Sequence, residues 1–258
     1  MLTFVHIQKT AGTTLKFILR NSFGIYHCDS AKIKNYPFEQ KDLDFAKRIF
    51  PKIMSIAGHN IIEPTKNLDE PGYLLTFLRD PVKRCASHYQ DDCLRGGNNL
   101  PFREWIQNPY FQNMQVKQIA GEPNAKKAIE LVRNQYFFIG LTEKFDESIK
   151  LLKLISPYPL KMKYRRKIVA SSNKIKDELL NSSRDYELLK KYNEQDIELY
   201  NAVFNEIYPE RIQPYKDQLK HTQIEGQLYK TSRTLKYQLS VGYNKFIFRQ
   251  FVKLKNSF

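Results

Sequence analysis

The segment from His6 to Leu15 (HIQKTAGTTL) combines the residue types that bind an anion. The apolar run before it predicts a buried strand, and a helical pattern begins at Thr13, after a turn with Lys9 and Gly12. The first N–H groups of a helix have no intrahelical partner and point at one spot, where an anion is stabilised. Because hydroxyls and an ammonium add donors, the segment predicts a phosphate site, although ordinary capping of a helix would explain the same residues.

This turn differs from the phosphate loop of nucleoside triphosphatases, in which lysine follows the second glycine of G-x-x-x-x-G-K-[ST]. Lys9 instead precedes Gly12 by three residues. The sequence pattern therefore disfavours an ATP-dependent phosphotransferase. That function stays open as an alternative, and it predicts dependence on ATP and Mg²⁺.

A second candidate site follows Tyr73–Leu78 (YLLTFL), the clearest predicted strand. Arg79 lies at its carboxyl end, where open α/β sheets bind their ligands. Asp80 and Pro81 pair an N-cap acceptor with a proline at the first helical position, which predicts a helix. Ser87 lies two turns into that helix, so Arg79 and Ser87 could clamp one phosphate between them. Taken alone, the two residues fit a structural role better, with Arg79 paired to a core carboxylate.

Together, the two segments resemble the sulfotransferases that use 3′-phosphoadenosine-5′-phosphosulfate (PAPS), in particular the carbohydrate group with the heparan sulfate 2-O- and 6-O-sulfotransferases. HIQKTAGTTL looks like their 5′-phosphosulfate loop, and RDPVKRCASHY at residues 79–89 is similar to their 3′-phosphate motif. Weaker similarity continues through residues 113–121, 138–152 and 193–200. The resemblance thus spans roughly residues 2–208, and it implies sulfuryl transfer to a carbohydrate hydroxyl with release of the bisphosphate PAP.

The resemblance also implies roles for individual residues. Arg79 and Ser87 would bind the 3′-phosphate that distinguishes PAPS from ATP. Arg84 matches a recurring arginine whose spacing also allows a structural role, and Lys9 would act catalytically near the bridging oxygen. The residues that the resemblance assigns to the 5′-phosphate end are Lys9, Thr10, Ala11, Gly12, Thr13, Thr14 and Leu15.

Transfer to a hydroxyl also needs a base that removes the hydroxyl proton. His59 lies in AGHN, just after a short predicted strand, in the interval where the similar 2-O and 6-O enzymes have a catalytic histidine. The resemblance implies that His59 is this base, and an ordinary loop histidine is the other interpretation. Glu63 is the reserve candidate, because some relatives use a carboxylate. His6 is expected to be buried in a strand.

Strand and helix patterns alternate along the chain, which predicts an α/β fold: a P-loop-like three-layer sandwich with a mostly parallel sheet between helices. We expect one sulfotransferase domain over residues 1–225 and a basic, aromatic, helical extension over 226–258. The predicted strands are residues 2–7, 52–57, 73–78 and 136–139. The predicted helices cover residues 13–23, 81–95, 102–119, 125–133, 144–155 and 184–208, and Pro209 is expected to close the last.

The net charge of +15 is unevenly distributed. Seven basic residues and no acids lie in Lys161–Lys176, and the same holds for Leu228–Phe258. Such a field attracts any polyanion, so a non-catalytic polyanion-binding module is a further alternative function. The basic stretches could also be ordinary solvated surfaces. Nucleic acid is not the expected partner. Lys161–Lys176 could line a groove for an anionic glycan. The tail could lie on an anionic membrane near a lipid-linked acceptor, dock on the domain or form a homodimer.

Three cysteines are too few for a disulfide framework or a zinc site. There is no run of about 18 apolar residues, which would indicate a membrane span. The expected location is therefore cytoplasmic, with a possible peripheral contact at the inner face of the membrane. No metal cofactor is expected, because Lys and Arg would supply the positive charge that Mg²⁺ supplies elsewhere.

Overall fold

Five strands form one all-parallel sheet. They are β1 (Leu2–Val5), β2 (His27–Asp29), β3 (Ser55–Gly58), β4 (Tyr73–Leu78) and β5 (Tyr136–Leu141). Their order across the sheet is β2-β3-β1-β4-β5. The computed structural model describes residues 1–33, 35–162, 173–224 and 234–255. Most of the basic stretch Lys161–Lys176, and the predicted boundary at residues 225–226, lie outside these ranges.

Helices flank the sheet in a three-layer α/β arrangement, which confirms the predicted fold class. The α-helices are α1 (Gly12–Phe23), α2 (Gln40–Ile49), α3 (Pro64–Asn67), α4 (Pro81–Asp91), α5 (Phe102–Trp105), α6 (Met114–Ala120), α7 (Ala125–Asn134), α8 (Phe145–Ile155), α9 (Lys174–Asn181), α10 (Ser183–Lys191), α11 (Glu194–Ala202), α12 (Tyr208–Ile212), α13 (Lys216–His221), α14 (Leu235–Gly242) and α15 (Arg249–Lys255). Wider π-helical turns follow α4, α11 and α14 at Asp92–Gly96, Val203–Ile207 and Tyr243–Phe248.

The strand order determines where a ligand site can form. The chain leaves β1 toward β2 on one side of the sheet, and it leaves β4 toward β5 on the other side. β1 and β4 are neighbours, with Val5 paired to Thr76. A crevice therefore opens between their carboxyl ends, which is the usual ligand position in open parallel sheets. Both predicted phosphate segments begin at this crevice.

The sheet is held by a continuous apolar core. All four residues of β1 are buried, as are five of the six residues of β4, including Leu75 and Phe77. Such continuous apolar strands are typical of parallel sheets that helices cover on both faces. At the far edge, Asn244 of the C-terminal helix donates to the His27 carbonyl at 2.8 Å and accepts from the Asp29 N–H at 2.8 Å. The described part of the predicted extension thus packs on the domain.

Most predicted elements are present, and α2 was not predicted. The predicted helix over residues 102–119 is interrupted between Trp105 and Met114. The predicted helix over residues 184–208 is interrupted between Lys191 and Glu194, and Pro209 does not close it, because the helix continues to Ile212. Proline in a regular helix clashes with the carbonyl four residues earlier. Here the preceding turn is π-helical, with the N–H of Tyr208 bonded to the carbonyl of Val203, and the wider turn leaves room for the ring.

Candidate functional site

A cleft of about 600 Å³ lies at the carboxyl ends of β1, β3 and β4. Its volume is within the usual range for small-molecule sites. Helices α1 and α4 supply much of its wall. Asn173 and Lys176, from the described end of the basic stretch, also line the cleft. The residues predicted from the sequence that line it are Lys9, Ala11, Gly12, Thr13, Thr14, His59, Arg79 and Ser87.

The turn after β1 has an unusual backbone. Lys9 and Ala11 both have left-handed φ angles, of 66° and 63°. This conformation costs energy for residues other than glycine, and it recurs at ligand-binding loops. Ala11 is the N-cap of α1, and its methyl group cannot cap the helix. The first turn of α1 also contains no acidic residue. The positive end of the helix dipole therefore faces the cleft without a compensating side chain.

Gly12 is required by the contact between this turn and the end of β1. A Cβ atom at Gly12 would lie 1.9 Å from Cδ2 and 2.0 Å from Nε2 of His6. Only a residue without a side chain lets the start of α1 approach the imidazole this closely. His6 is buried, as expected from the sequence, although β1 itself ends one residue earlier.

Two of the residues assigned to the phosphate loop place their side chains elsewhere. Thr10 is buried, and its hydroxyl donates to the Ile7 carbonyl at 3.0 Å. Leu15 is buried in the main hydrophobic core. Their side chains therefore shape the turn and anchor the helix, and only their backbone could face an anion.

Arg79 connects the two predicted phosphate segments directly. Its Nη1 donates to the carbonyl of Lys9 at 3.1 Å, across 70 residues of sequence. Burial lowers the pKa of Arg79, and the nearby Glu143 opposes this shift. Ser87, on α4, is partly exposed and lines the same cleft. Among the residues that the structure describes, Arg79 forms no ion pair with a core carboxylate, which was the structural alternative.

Lys9 faces the cleft as one member of a charge cluster. Its Nζ lies 3.2 Å from Oδ1 of Asp91, and Nη1 of Arg95 lies at the same distance from that oxygen. Burial lowers the pKa of Lys9, while Asp91 opposes the shift. An anion in the cleft would compete with Asp91 for the lysine.

His59 is held in one tautomer. Its Nδ1 lies 2.6 Å from the carbonyl oxygen of His6, and because a carbonyl can only accept, Nδ1 carries the proton. Nε2 is then the basic nitrogen. The rings of His59 and His6 are in contact, with centroids 3.9 Å apart. Burial lowers the pKa of His59, so the imidazole is neutral and able to accept a proton at neutral pH.

Glu63, the reserve candidate for the base, is oriented differently. Its Oε1 lies 2.8 Å from Nζ of Lys127, and the lining of the cleft, within the described residues, does not include it. Its φ angle of 43° places it in the left-handed region at the start of α3. The geometry therefore favours His59 over Glu63 as a proton acceptor.

Two glutamines that the sequence did not single out position the site. Gln115 accepts from the N–H of Arg79 at 3.0 Å and donates to its carbonyl at 2.9 Å. Gln118 donates to the carbonyls of His59 and Ile61 at 2.8 and 2.7 Å. The two residues are three apart on α6 and share one helix face. One short helix therefore holds the end of β4 and the loop after β3. The signals in the sequence were the spacing of the two glutamines and their place in the weakly similar segment 113–121.

Helices α6 and α11 cap each other and thereby fix α6. The side-chain oxygen of Asn113 accepts from the N–H groups of Gln195 and Asp196 at 3.0 and 3.2 Å. The carboxylate of Asp196 accepts in return from the N–H groups of Gln115 and Val116 at 3.1 and 2.8 Å. The two segments, residues 113–121 and 193–200, are therefore joined in the fold by reciprocal capping.

Arg84 has a structural role, one of the two that its spacing allowed. It is fully buried, and its Nε lies 3.8 Å from Oδ2 of the equally buried Asp196. Its Nη2 also contacts Oδ1 of Asn193 at 3.4 Å. A buried ion pair of this kind ties α4 to α11, behind the wall of the cleft.

We expect Arg84→Leu to lower the free energy of unfolding by about 3–5 kcal/mol, because it leaves the Asp196 carboxylate buried without its cation. Urea denaturation measures the effect. Arg103→Ala is the matched control: it breaks an exposed ion pair with Asp185 and should cost less than about 1 kcal/mol. Equal losses in the two variants would show that the buried pair has no special role.

The described ranges contain no helix with the length and apolar content that a bilayer crossing requires. Within the same ranges, no three His, Cys, Asp or Glu side chains are grouped to hold a metal ion.

Comparison with known proteins shows what the chain is similar to. A family model described as "Sulfotransferase family" matches residues 1–205 of the chain. The heparan sulfate 2-O-sulfotransferase 1 of Xenopus laevis is 21% identical over 195 residues, which cover 61% of this chain and 55% of that protein. The chain thus spans about half the length of this curated relative.

Proposed function

Because the chain belongs to the sulfotransferase family, we propose that it transfers the sulfuryl group of PAPS to a hydroxyl of a carbohydrate acceptor. Family membership itself supports a sulfuryl-transfer reaction. The donor, the acceptor class and the residue roles are the parts that we add. The products would be PAP and an O-sulfated saccharide.

The hydrogen bond between Arg79 and the Lys9 carbonyl carries the proposal for the donor. It brings two anion-binding elements into one cleft: the uncapped N-terminus of α1, and the Arg79 guanidinium with Ser87. PAPS has anionic groups at both its 5′ and 3′ positions, so two separate elements suit it better than a nucleotide with one phosphate chain. The cleft volume of about 600 Å³ is compatible with a ligand of this size.

The proposed reaction is an in-line displacement at sulfur. The acceptor hydroxyl oxygen forms a bond to sulfur as the bond from sulfur to the 5′-phosphate oxygen breaks. Nε2 of His59 takes the hydroxyl proton, and the bond electrons leave with the phosphate of PAP. Lys9 and the N-terminus of α1 would stabilise the negative charge that develops on this leaving oxygen.

A carbohydrate acceptor is supported by the relative, whose name specifies heparan sulfate. In this chain, Gln8 lines the cleft and its amide lies 3.5 Å from the hydroxyl of Tyr110, which is 55% exposed. Exposed tyrosines beside a polar cleft provide the apolar surface and the hydrogen-bonding groups that saccharide rings use. Lys176 adds positive charge at the cleft, which suits an anionic sugar.

A transfer assay tests the proposal. The chain is incubated with PAPS that carries radioactive sulfur and with a panel of neutral and anionic oligosaccharides, in the presence of EDTA. We expect label in at least one saccharide, and inhibition by added PAP. Parallel reactions contain ATP labelled at its terminal phosphate, with Mg²⁺. Label transferred from ATP, and none from PAPS, would support a phosphotransferase and contradict the proposal.

A further inference from the structure

The C-terminal helix, residues 235–255, is continuous through α14, the π-helical turn and α15. One face packs on the domain, against α1 and the edge of β2. Its buried residues recur every three or four positions: Tyr237, Ser240, Asn244, Phe248 and Val252. Tyr243 adds a hydrogen bond to the Ile49 carbonyl. The helix is therefore anchored in a defined orientation, and its outer face is presented to the surroundings.

The outer face of this helix is unusually apolar. Six of the thirteen large hydrophobic side chains that are exposed in the described residues lie on these 21 positions, with exposed fractions between 42% and 71%. They are Leu235, Leu239, Phe246, Ile247, Phe251 and Leu254. Exposed apolar side chains scattered singly need no explanation, whereas a cluster on one helix indicates a binding surface.

Basic residues lie beside these apolar side chains. Lys245, Arg249 and Lys253 are exposed and recur every fourth residue, so they form one stripe along the helix. Residues 226–258 contain no Asp or Glu. An apolar face flanked by a purely basic stripe is the pattern of helices that lie in the interface of an anionic bilayer.

We propose that the outer face of the C-terminal helix docks on an anionic lipid surface. The charge distribution selects this occupant over a second copy of the chain. In a two-fold dimer the same face meets itself, so the basic stripes would lie close to each other and repel. Anionic headgroups would instead pair with the stripe while Phe246 and Phe251 insert between them.

The position of the helix adds a consequence that rests on the proposed function. Near its end, Lys255 lies 3.2 Å from Asp42, and Asp42 accepts from the Asn35 amide at 2.8 Å. The Asn35 carbonyl accepts in turn from Asn60, the neighbour of His59, at 3.1 Å. These contacts connect the end of the docking helix with the loop that carries His59, and a lipid-linked saccharide is the acceptor that such a surface would present.

Vesicle flotation tests the docking surface without reference to catalysis. Vesicles of phosphatidylglycerol and phosphatidylcholine are compared with vesicles of phosphatidylcholine alone. We expect the chain to float with the anionic vesicles only, and less at high salt. Phe246→Ser with Phe251→Ser should reduce the bound fraction at least about tenfold, because the variant loses the free energy gained when two aromatic rings leave water for the bilayer. Lys245→Gln, Arg249→Gln and Lys253→Gln together should have a similar effect.

A control variant removes exposed apolar side chains elsewhere. Leu100→Ser with Tyr186→Ser changes two such residues outside the helix, and this double variant should leave flotation unchanged. Unfolding temperatures check that every variant folds. Flotation that the helix variants do not reduce, or absence of flotation with either vesicle, would overturn the proposal. Dimerisation lost in Phe246→Ser with Phe251→Ser, without vesicle binding, would assign the surface to a second copy instead.

Discussion

Replacement of His59 by alanine is expected to lower kcat by about 10²–10⁴-fold and to leave the affinity for PAP near that of the unmodified chain. The imidazole lies on the cleft with Nδ1 bonded to the His6 carbonyl, which leaves Nε2 as the proton acceptor. Binding of PAP would depend on the other loops and not on this nitrogen. Single-turnover sulfuryl transfer and PAP titration measure the two quantities separately.

The pH dependence provides a second readout of His59. Only the neutral imidazole can accept a proton, and burial lowers its pKa below the ordinary value of 6.5. Activity should therefore rise with pH through this lowered pKa, so that the acid limb lies below pH 6.5, and it should fall again only where Lys9 loses its proton. Glu63→Gln is the control, because its carboxylate pairs with Lys127, and it should retain both turnover and pH profile. Unchanged turnover in His59→Ala would remove His59 from the role of base.

Replacement of Arg79 by alanine should weaken PAP binding by about 10- to 150-fold, the range for loss of a hydrogen bond to a charged group. ADP, which has no 3′-phosphate, should bind the variant nearly as well as the unmodified chain. Arg79→Lys should be intermediate, because it keeps the charge and loses the planar pair of donors. Thermal-shift titrations with PAP, ADP and ATP give these affinities.

The comparison between PAP and ADP also detects an indirect effect of this substitution. Arg79 bonds to the Lys9 carbonyl, so its loss could disturb the turn at the start of α1. An equal loss of affinity for PAP and ADP would indicate that disturbance and would contradict a specific contact with the 3′-phosphate. Arg133→Ala, a remote and partly exposed arginine that pairs with Glu206 and Glu210, should change neither affinity.

The sequence predicted those parts of the molecule whose signals are local. The strand Tyr73–Leu78 and the helix after it follow from an apolar run, an N-cap and a proline, all within a few residues. Strand β2 was not predicted, because its three residues are too few to show a pattern and one of them is Asp29. The continuation of the helix past Pro209 depends on a π-helical turn that no residue type specifies.

The candidate site shows the same limit. Lys9, Gly12 and Arg79 could be identified because their types and neighbours are distinctive, and the parallel order of β1 and β4 brings them together. The supports of the site could not be identified, because Gln115 and Gln118 act through contacts 36 and 59 residues away in the sequence. Resemblance to a family indicates which segments recur, whereas the contacts that hold them arise only in the folded chain.

A crystal structure of the chain with bound PAP tests the central claim most directly. We predict one PAP molecule in the cleft, with its 5′-phosphate at the N-terminus of α1 beside Lys9 and its 3′-phosphate between Arg79 and Ser87. A nucleotide that occupies only one of these two elements, or that binds outside the cleft, would contradict the assignment.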